Sequence, residues 1–139
     1  MSAKTSTKDR IVESGRALFN AKGYGETPLS EIAANVGISQ GNLTYHFPTK
    51  RQLALCIQEK AKEDAAARQQ AYEPGHVAED YIGHVLFGME LTWQYRFLFR
   101  DRAQFIAGRK GDDPSAALIA DFNELHALIQ RLEDDGLLV

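Results

Sequence analysis

The stretch Thr27 to Phe47, TPLSEIAANVGISQGNLTYHF, holds two short helical patterns joined by Val36-Gly37-Ile38-Ser39. Thr27 before Pro28 marks a helix start: the threonine oxygen is expected to accept from an orphan amide, and proline loses nothing at the first helical position. Leu29, Ile32, Ala33 and Val36 recur at helical spacing and give one apolar face. Gly37 stops that helix, because the residue just past a helix end often takes the left-handed conformation that glycine adopts without a Cβ penalty. Ile38 is expected to pack back on the first helix while Ser39 caps a second one from Gln40 to His46, which Pro48 closes. Two helices around a tight turn form a helix-turn-helix, a motif whose second helix can enter the DNA major groove.

The second helix is polar where a packed helix would be apolar. Leu43 and Phe47, four residues apart, anchor one side and leave Gln40, Asn42, Thr44, Tyr45 and His46 facing outward or flanking the anchor, and the capping Ser39 and Gly41 are counted with them as candidate DNA-binding residues. Asparagine and glutamine can pair bidentately with adenine, while threonine and tyrosine can meet a thymine methyl or a phosphate. Gly41 permits close backbone approach. A solvated helix between two core anchors would have the same polarity, but not the cap, apolar face, glycine turn and second cap that precede it.

The flanks extend the pattern. Upstream, Lys8 to Lys22 places Ile11, Gly15, Leu18, Phe19 and Lys22 on one helical face, and Gly23-Tyr24-Gly25 stops it. Downstream, Thr49-Lys50-Arg51-Gln52 reads as a capping box. The succession Gly-Tyr-Gly, Thr-Pro-Leu-Ser-Glu-Ile-Ala, Val-Gly-Ile-Ser, Gly-Asn-Leu-Thr-Tyr-His-Phe, then Lys50 and Leu53, resembles the DNA-binding domain of the TetR family of bacterial transcriptional regulators from about Lys8 to Leu53. The resemblance implies phosphate contacts from Thr27 and Ser30, base contacts from Gln40, Gly41, Asn42 and Thr44, an aromatic pair Tyr45-His46 set against the DNA backbone, and a basic phosphate contact from Lys50. It also implies a repressor that acts as a homodimer on a double-stranded operator and is released by a small-molecule effector. Gln40 stands where the family often has lysine or arginine, and Thr44 where it often has an aromatic. The operator sequence is therefore not inherited from a relative.

Composition bounds the rest. A chain of 139 residues can bury a core as one compact body or two small helical modules. No long apolar run and no signal-peptide arrangement is present, so a soluble cytoplasmic protein with no membrane partner is expected. A single cysteine, Cys56, has no partner for an internal disulfide and sits beside Leu53 and Ile57, where a buried thiol is expected rather than a redox switch. The net charge of −3 divides unevenly: up to Lys60 eight basic residues face five acidic ones, and the remainder carries −6. A basic module on an acidic body suits phosphate attraction at one end. Lys4, Lys8 and Arg10 read either as a mobile basic arm or as a solvated terminus.

The expected fold is all-α, with a three-helix DNA-binding domain at 1–50 and a shortened helical sensing and dimerisation domain at 51–139. A fourth helix spans Lys50 to about Tyr72, and Glu73-Pro74-Gly75-His76 breaks it. Val77 to about Tyr95 is apolar over a wide arc and is expected to be buried among other helices. The Trp-Gln-Tyr-Arg-Phe-Leu-Phe-Arg-Asp segment that follows resembles a stretch in the effector domain of some TetR-like regulators. Aromatics mixed with arginines also occur in single-stranded nucleic-acid binders, but Asp101 and the acidic flanks favour a helix core edged with arginines. Gly108 to Pro114 reads as a turn, and Ser115 as the cap of a helix whose Leu118, Phe122, Leu125, Ile129 and Leu132 form a stripe that wants a partner, in the same chain or across a dimer.

An apolar or aromatic effector is expected among Tyr81, Val85, Phe87, Met89, Trp93, Phe97, Phe105 and Phe122. A regulator of the same architecture without a small ligand is the alternative. A helical metal-dependent enzyme has weaker support: His76, Asp80 and His84 share a helix face, yet three ligands stacked along two turns do not converge easily on one ion. No nucleophile motif or phosphate-binding glycine loop appears, and no cofactor is expected.

Overall fold

The computed structural model of the chain describes residues 4–70, 75–106, 126–127, 130–131, 133–134 and 136. The described elements are helices: α1 (Thr7–Lys22), α2 (Leu29–Val36), α3 (Gln40–His46), α4 (Lys50–Gln70), α5 (Val77–Gln94), α6 (Arg96–Arg100) and α7 (Arg102–Ile106). The all-α expectation holds, with no strand among the described residues. The turn at 108–114, the stripe from Leu118 to Leu132 as a whole, and Phe122 lie outside them.

α1 starts one residue before the position expected from the sequence. Ser6 accepts from the Asp9 amide at 3.1 Å while the Asp9 carboxylate reaches back to the Ser6 amide, a reciprocal cap the sequence reading missed. Lys8 and Arg10 therefore lie on a helix rather than in a mobile arm, and Arg10 Nη2 donates to the Val36 carbonyl at 2.6 Å, closing the end of α2. Gly37 has φ 81°, and its amide and that of Ile38 both return to Ala33 O, which satisfies the last carbonyls of α2.

Ile11 and Phe19 of α1, Ile32 of α2, Leu43 of α3 and Leu53 and Ile57 of α4 are fully buried together. At roughly 1.5–3 kcal/mol for each large apolar side chain removed from water, this cluster outweighs the weak helix propensity of a seven-residue α3. α1 and α4 approach closely at Gly15, where an added Cβ would stand 2.9 Å from Leu53 Cδ2. Cys56 is half-buried against this core rather than enclosed in it.

The core does not stop at the expected boundary near residue 50. Tyr95, Phe97 and Phe105 come from the second half of the chain and are fully or almost fully buried against the first. The Phe97 ring lies 5.1 Å from Phe19, and Phe105 5.3 Å from Tyr24. α5 departs from expectation in the other direction. It forms where the periodicity puts it, but Ile82, Leu86, Met89 and Trp93 are 56–69% exposed, so its wide apolar arc is only half used by the described residues.

Candidate nucleic-acid interface

α3 is held by its ends and by one buried side. Ser39 Oγ accepts from the Asn42 amide at 3.0 Å, Leu43 is fully buried, and Phe47 packs into the core just beyond the last turn. Across the turn, Asn35 donates to Ser14 Oγ at 2.7 Å, and Lys22 pairs with Glu31 at 2.6 Å, so both ends of α2 are fastened to α1. The helix that precedes the turn is thereby a fixed platform for the one that follows.

The outward face of α3 has few internal commitments. Gln40, Gly41 and Asn42 are exposed, and neither amide side chain of Gln40 or Asn42 has a hydrogen-bond partner among the described residues. Tyr45 is 83% exposed, a costly place for an aromatic ring with nothing to cover it, and it stands edge-on to His46 at 5.3 Å. A Cβ on Gly41 would meet nothing nearer than Ser39 Oγ at 4.0 Å, so the surface beside it is open. Thr44 is half-buried and donates to Gly41 O at 3.1 Å, which leaves its methyl and the oxygen lone pairs for other contacts. Gln40, Gly41, Asn42 and Tyr45 are exposed and Thr44 and His46 half-buried on this helix, with Ser39 as its cap.

Two other residues expected at this surface behave differently. Thr27 is fully buried and its Oγ1 donates to Gly23 O at 2.8 Å. It neither caps α2, whose N-cap is Pro28 without a side-chain hydrogen bond, nor presents a hydroxyl to a phosphate. A β-branched hydroxyl in a tight loop satisfies the backbone instead. The uncapped start of α2 leaves amide donors beside the exposed Ser30. Lys50 donates to Tyr24 O at 2.7 Å and lies 4.6 Å from the Tyr24 ring, so one of its three donors is already spent on the α1–α2 loop. The capping box beside it is present: Thr49 and Gln52 exchange bonds at 3.2 Å.

A second polar assembly, unread in the sequence, joins this head to the helices behind it. Arg16 Nη1 and Asn20 Nδ2 both donate to Gln94 O, at 2.9 and 2.7 Å, and Asn20 Oδ1 accepts from the Phe97 amide at 3.1 Å. Arg100 Nη2 donates to Phe19 O at 2.8 Å, at the carbonyl end of α1 where a cation is favoured. Asp101, nearly buried, accepts from the Tyr24 amide at 3.0 Å. The hydrogen bond from Arg100 and that from Tyr24 hold the Asp101 carboxyl below the usual range against the cost of burial. Tyr95 donates to Asp64 on α4, and burial together with that carboxylate keeps its phenol protonated. The Arg-Phe-Leu-Phe-Arg-Asp run is a joint, not the polar edge of a sensing core.

Among the described residues, three of the expected effector residues share a groove and four do not join it. Val85, Met89 and Trp93 line an open apolar groove with Gly88, Thr92 and Arg96. Tyr81 is partly exposed, Phe87 is half-buried under the Arg68 guanidinium at 5.5 Å, and Phe97 and Phe105 belong to the core of the head. His76 and His84 belong to no group of three or more metal-binding side chains among the described residues.

These features define a helix-turn-helix whose second helix is capped at Ser39 and anchored at Leu43, with an exposed polar outer face. Residues 11–57 match the family of bacterial regulatory proteins described as the tetR family. Over 46 residues the chain is 41% identical to IcaR of Staphylococcus aureus, the HTH-type negative transcriptional regulator of the biofilm operon icaADBC, covering 33% of this chain and 25% of that protein. It is 43% identical over 47 residues to the probable HTH-type transcriptional regulator YttP of Bacillus subtilis, covering 34% of this chain and 23% of that one. The matched part thus spans about a quarter of these relatives' length. The fold as a whole is similar to a solved protein from work on the control of antibiotic production by bacterial hormones, with a TM-score of 0.60 at 22% identity over 96% of this chain and 72% of that one. A structure from Shewanella sp. PV-4 assigned to the tetR family gives 0.59 at 23% identity, over 94% and 72%.

Proposed function

We propose that the chain is a sequence-specific DNA-binding transcriptional regulator of the repressor type. Its α3 enters the major groove of a double-stranded operator, and two copies read two half-sites. The observation that carries this reading is the exposed, unpartnered set Gln40, Asn42 and Tyr45 on a helix capped at Ser39 and anchored at Leu43. Asn42 and Gln40 supply base-edge donors and acceptors, Gly41 and Thr44 permit close approach and methyl contact, and Tyr45 and His46 lie along the backbone. Ser30 with the open amides of α2, and the two remaining donors of Lys50, take phosphates.

Release by a small apolar effector is the finer part of the proposal. Its support is the joint of Arg16, Asn20, Arg100 and Asp101, through which a shift of α6 is passed to α1. Half-sites one turn apart, roughly 34–36 Å, make affinity sensitive to the separation of the heads. A regulator of the same fold without a small ligand is the second reading, favoured by the placement of Phe97 and Phe105 in the core instead of a pocket. The family of the head domain is one of transcription regulators, which leaves the enzyme alternative without support. No described helix is long and apolar enough to cross a membrane. Gel shifts on the DNA upstream of the protein's own gene, with and without apolar compounds, test both parts. Binding lost on adding a compound supports effector release, and binding indifferent to all of them supports the second reading.

A further inference from the structure

The first turn of α4 carries a charge that the fold leaves unanswered. Arg51 is half-buried, yet its Nε and Nη2 atoms are enclosed and have no hydrogen-bond partner among the described residues. These two atoms form one edge of the guanidinium, where parallel N–H bonds match a pair of oxygens on a phosphate or carboxylate. Burying that edge unpaired is costly, because an ionised donor gives up its water and receives nothing in return. The surroundings are short of negative charge. Lys50 precedes Arg51, and no carboxylate pairs with either among the described residues. Burial raises the pKa of the Tyr24 phenol, and the nearby Arg51 charge pulls it back. Tyr24 uses its amide on Asp101 and its carbonyl on Lys50, and its hydroxyl has no partner among the described residues. Phe105 packs on the Tyr24 ring at 5.3 Å, and a Cβ on Gly25 would stand 2.8 Å from Gln104 Oε1, so α7 rests on this loop.

We propose that the Nε–Nη2 edge of Arg51 is a seat for a small free phosphate-type oxyanion, held between α4 and the loop that joins α1 to α2. Two oxygens meet the guanidinium edge, and a third is left for the Tyr24 hydroxyl, which is why a phosphoryl group fits better than a carboxylate. The anion offsets the enclosed charge and ties α4 to the loop on which α7 rests. DNA laid on the outward face of α3 does not reach an enclosed edge, so the source is a free anion and not the duplex backbone. The seat goes beyond the DNA-binding reading and does not depend on it, because no residue of α3 takes part.

Thermal melts of the full chain in inorganic phosphate against chloride at matched ionic strength test it, with circular dichroism to confirm unchanged helicity. The parent chain is expected to show a saturable rise in midpoint of about 5 °C. Arg51→Met is expected to be at least as stable as the parent in chloride and to lose that rise. Arg51→Lys, which keeps the charge without the paired edge, is expected to lose most of it. No saturable rise in the parent overturns the proposal, as does a rise that either variant keeps in full, which is a general salt effect. Arg51→Met less stable than the parent in chloride also overturns it, because the guanidinium edge is then already satisfied. A short duplex in place of phosphate separates the source: an Arg51-dependent rise with the duplex and none with inorganic phosphate overturns the free-anion seat.

Discussion

Asn42 and Thr27 are fifteen residues apart in one motif, yet the fold uses them in opposite ways. Asn42 has no partner for its side chain among the described residues, so Asn42→Ala is expected to cost about 1–3 kcal/mol of operator binding and to leave thermal stability unchanged; paired anisotropy titrations and thermal melts check this. Thr27→Val removes a buried donor from Gly23 O, with an expected cost near 1 kcal/mol of stability and no change in the dependence of binding on salt. Lys50 stands between them. Its removal is expected to lower stability through Tyr24 and also to reduce the salt slope by about one phosphate contact. An unchanged slope would assign Lys50 to the loop alone. Such distinctions were not legible in the sequence, where all three are polar residues in a matching motif and only burial separates them.

Among the elements, the legible ones are those whose signals are local. α2, the Gly37 turn and α3 were readable because caps, a left-handed glycine and an apolar period act within a few residues. Ser39→Ala is accordingly expected to cost about 1 kcal/mol, measurable by chemical denaturation. α6 and α7 were not readable as a joint, because their meaning lies in bonds to residues about 80 positions earlier, such as Arg100 to Phe19 O. Aromatic residues at 97 and 105 read as pocket lining, since periodicity reports that a side chain is buried but not against what. Asp101 gives this joint a pH signature. Its folded carboxyl titrates below the usual value, so its contribution is present above the unfolded carboxylate range and is lost as pH falls through the folded value. Asp101→Asn is expected to flatten the acid limb of stability, seen in thermal melts from neutral pH to below about pH 4.

In the whole molecule, a basic helix-turn-helix head is bonded through buried polar groups to a body that carries −6 beyond Lys60. On the proposed function, attraction for DNA is confined to one end, and the acidic remainder disfavours binding along its flank. Affinity should fall steeply with salt for any duplex, while preference among sequences persists, because phosphates set the first and base edges the second. The second side of α5, which the sequence did not reveal as exposed, carries most of the exposed large apolar side chains among the described residues. The central claim, that α3 reads bases from the major groove, is tested most directly by selecting bound duplexes from a random pool with the parent chain and with Asn42→Ala. The account predicts that the parent enriches one sequence motif and that the variant loses base preference at one position of each half-site. No enriched motif, or the same motif with the same preference from the variant, would contradict it.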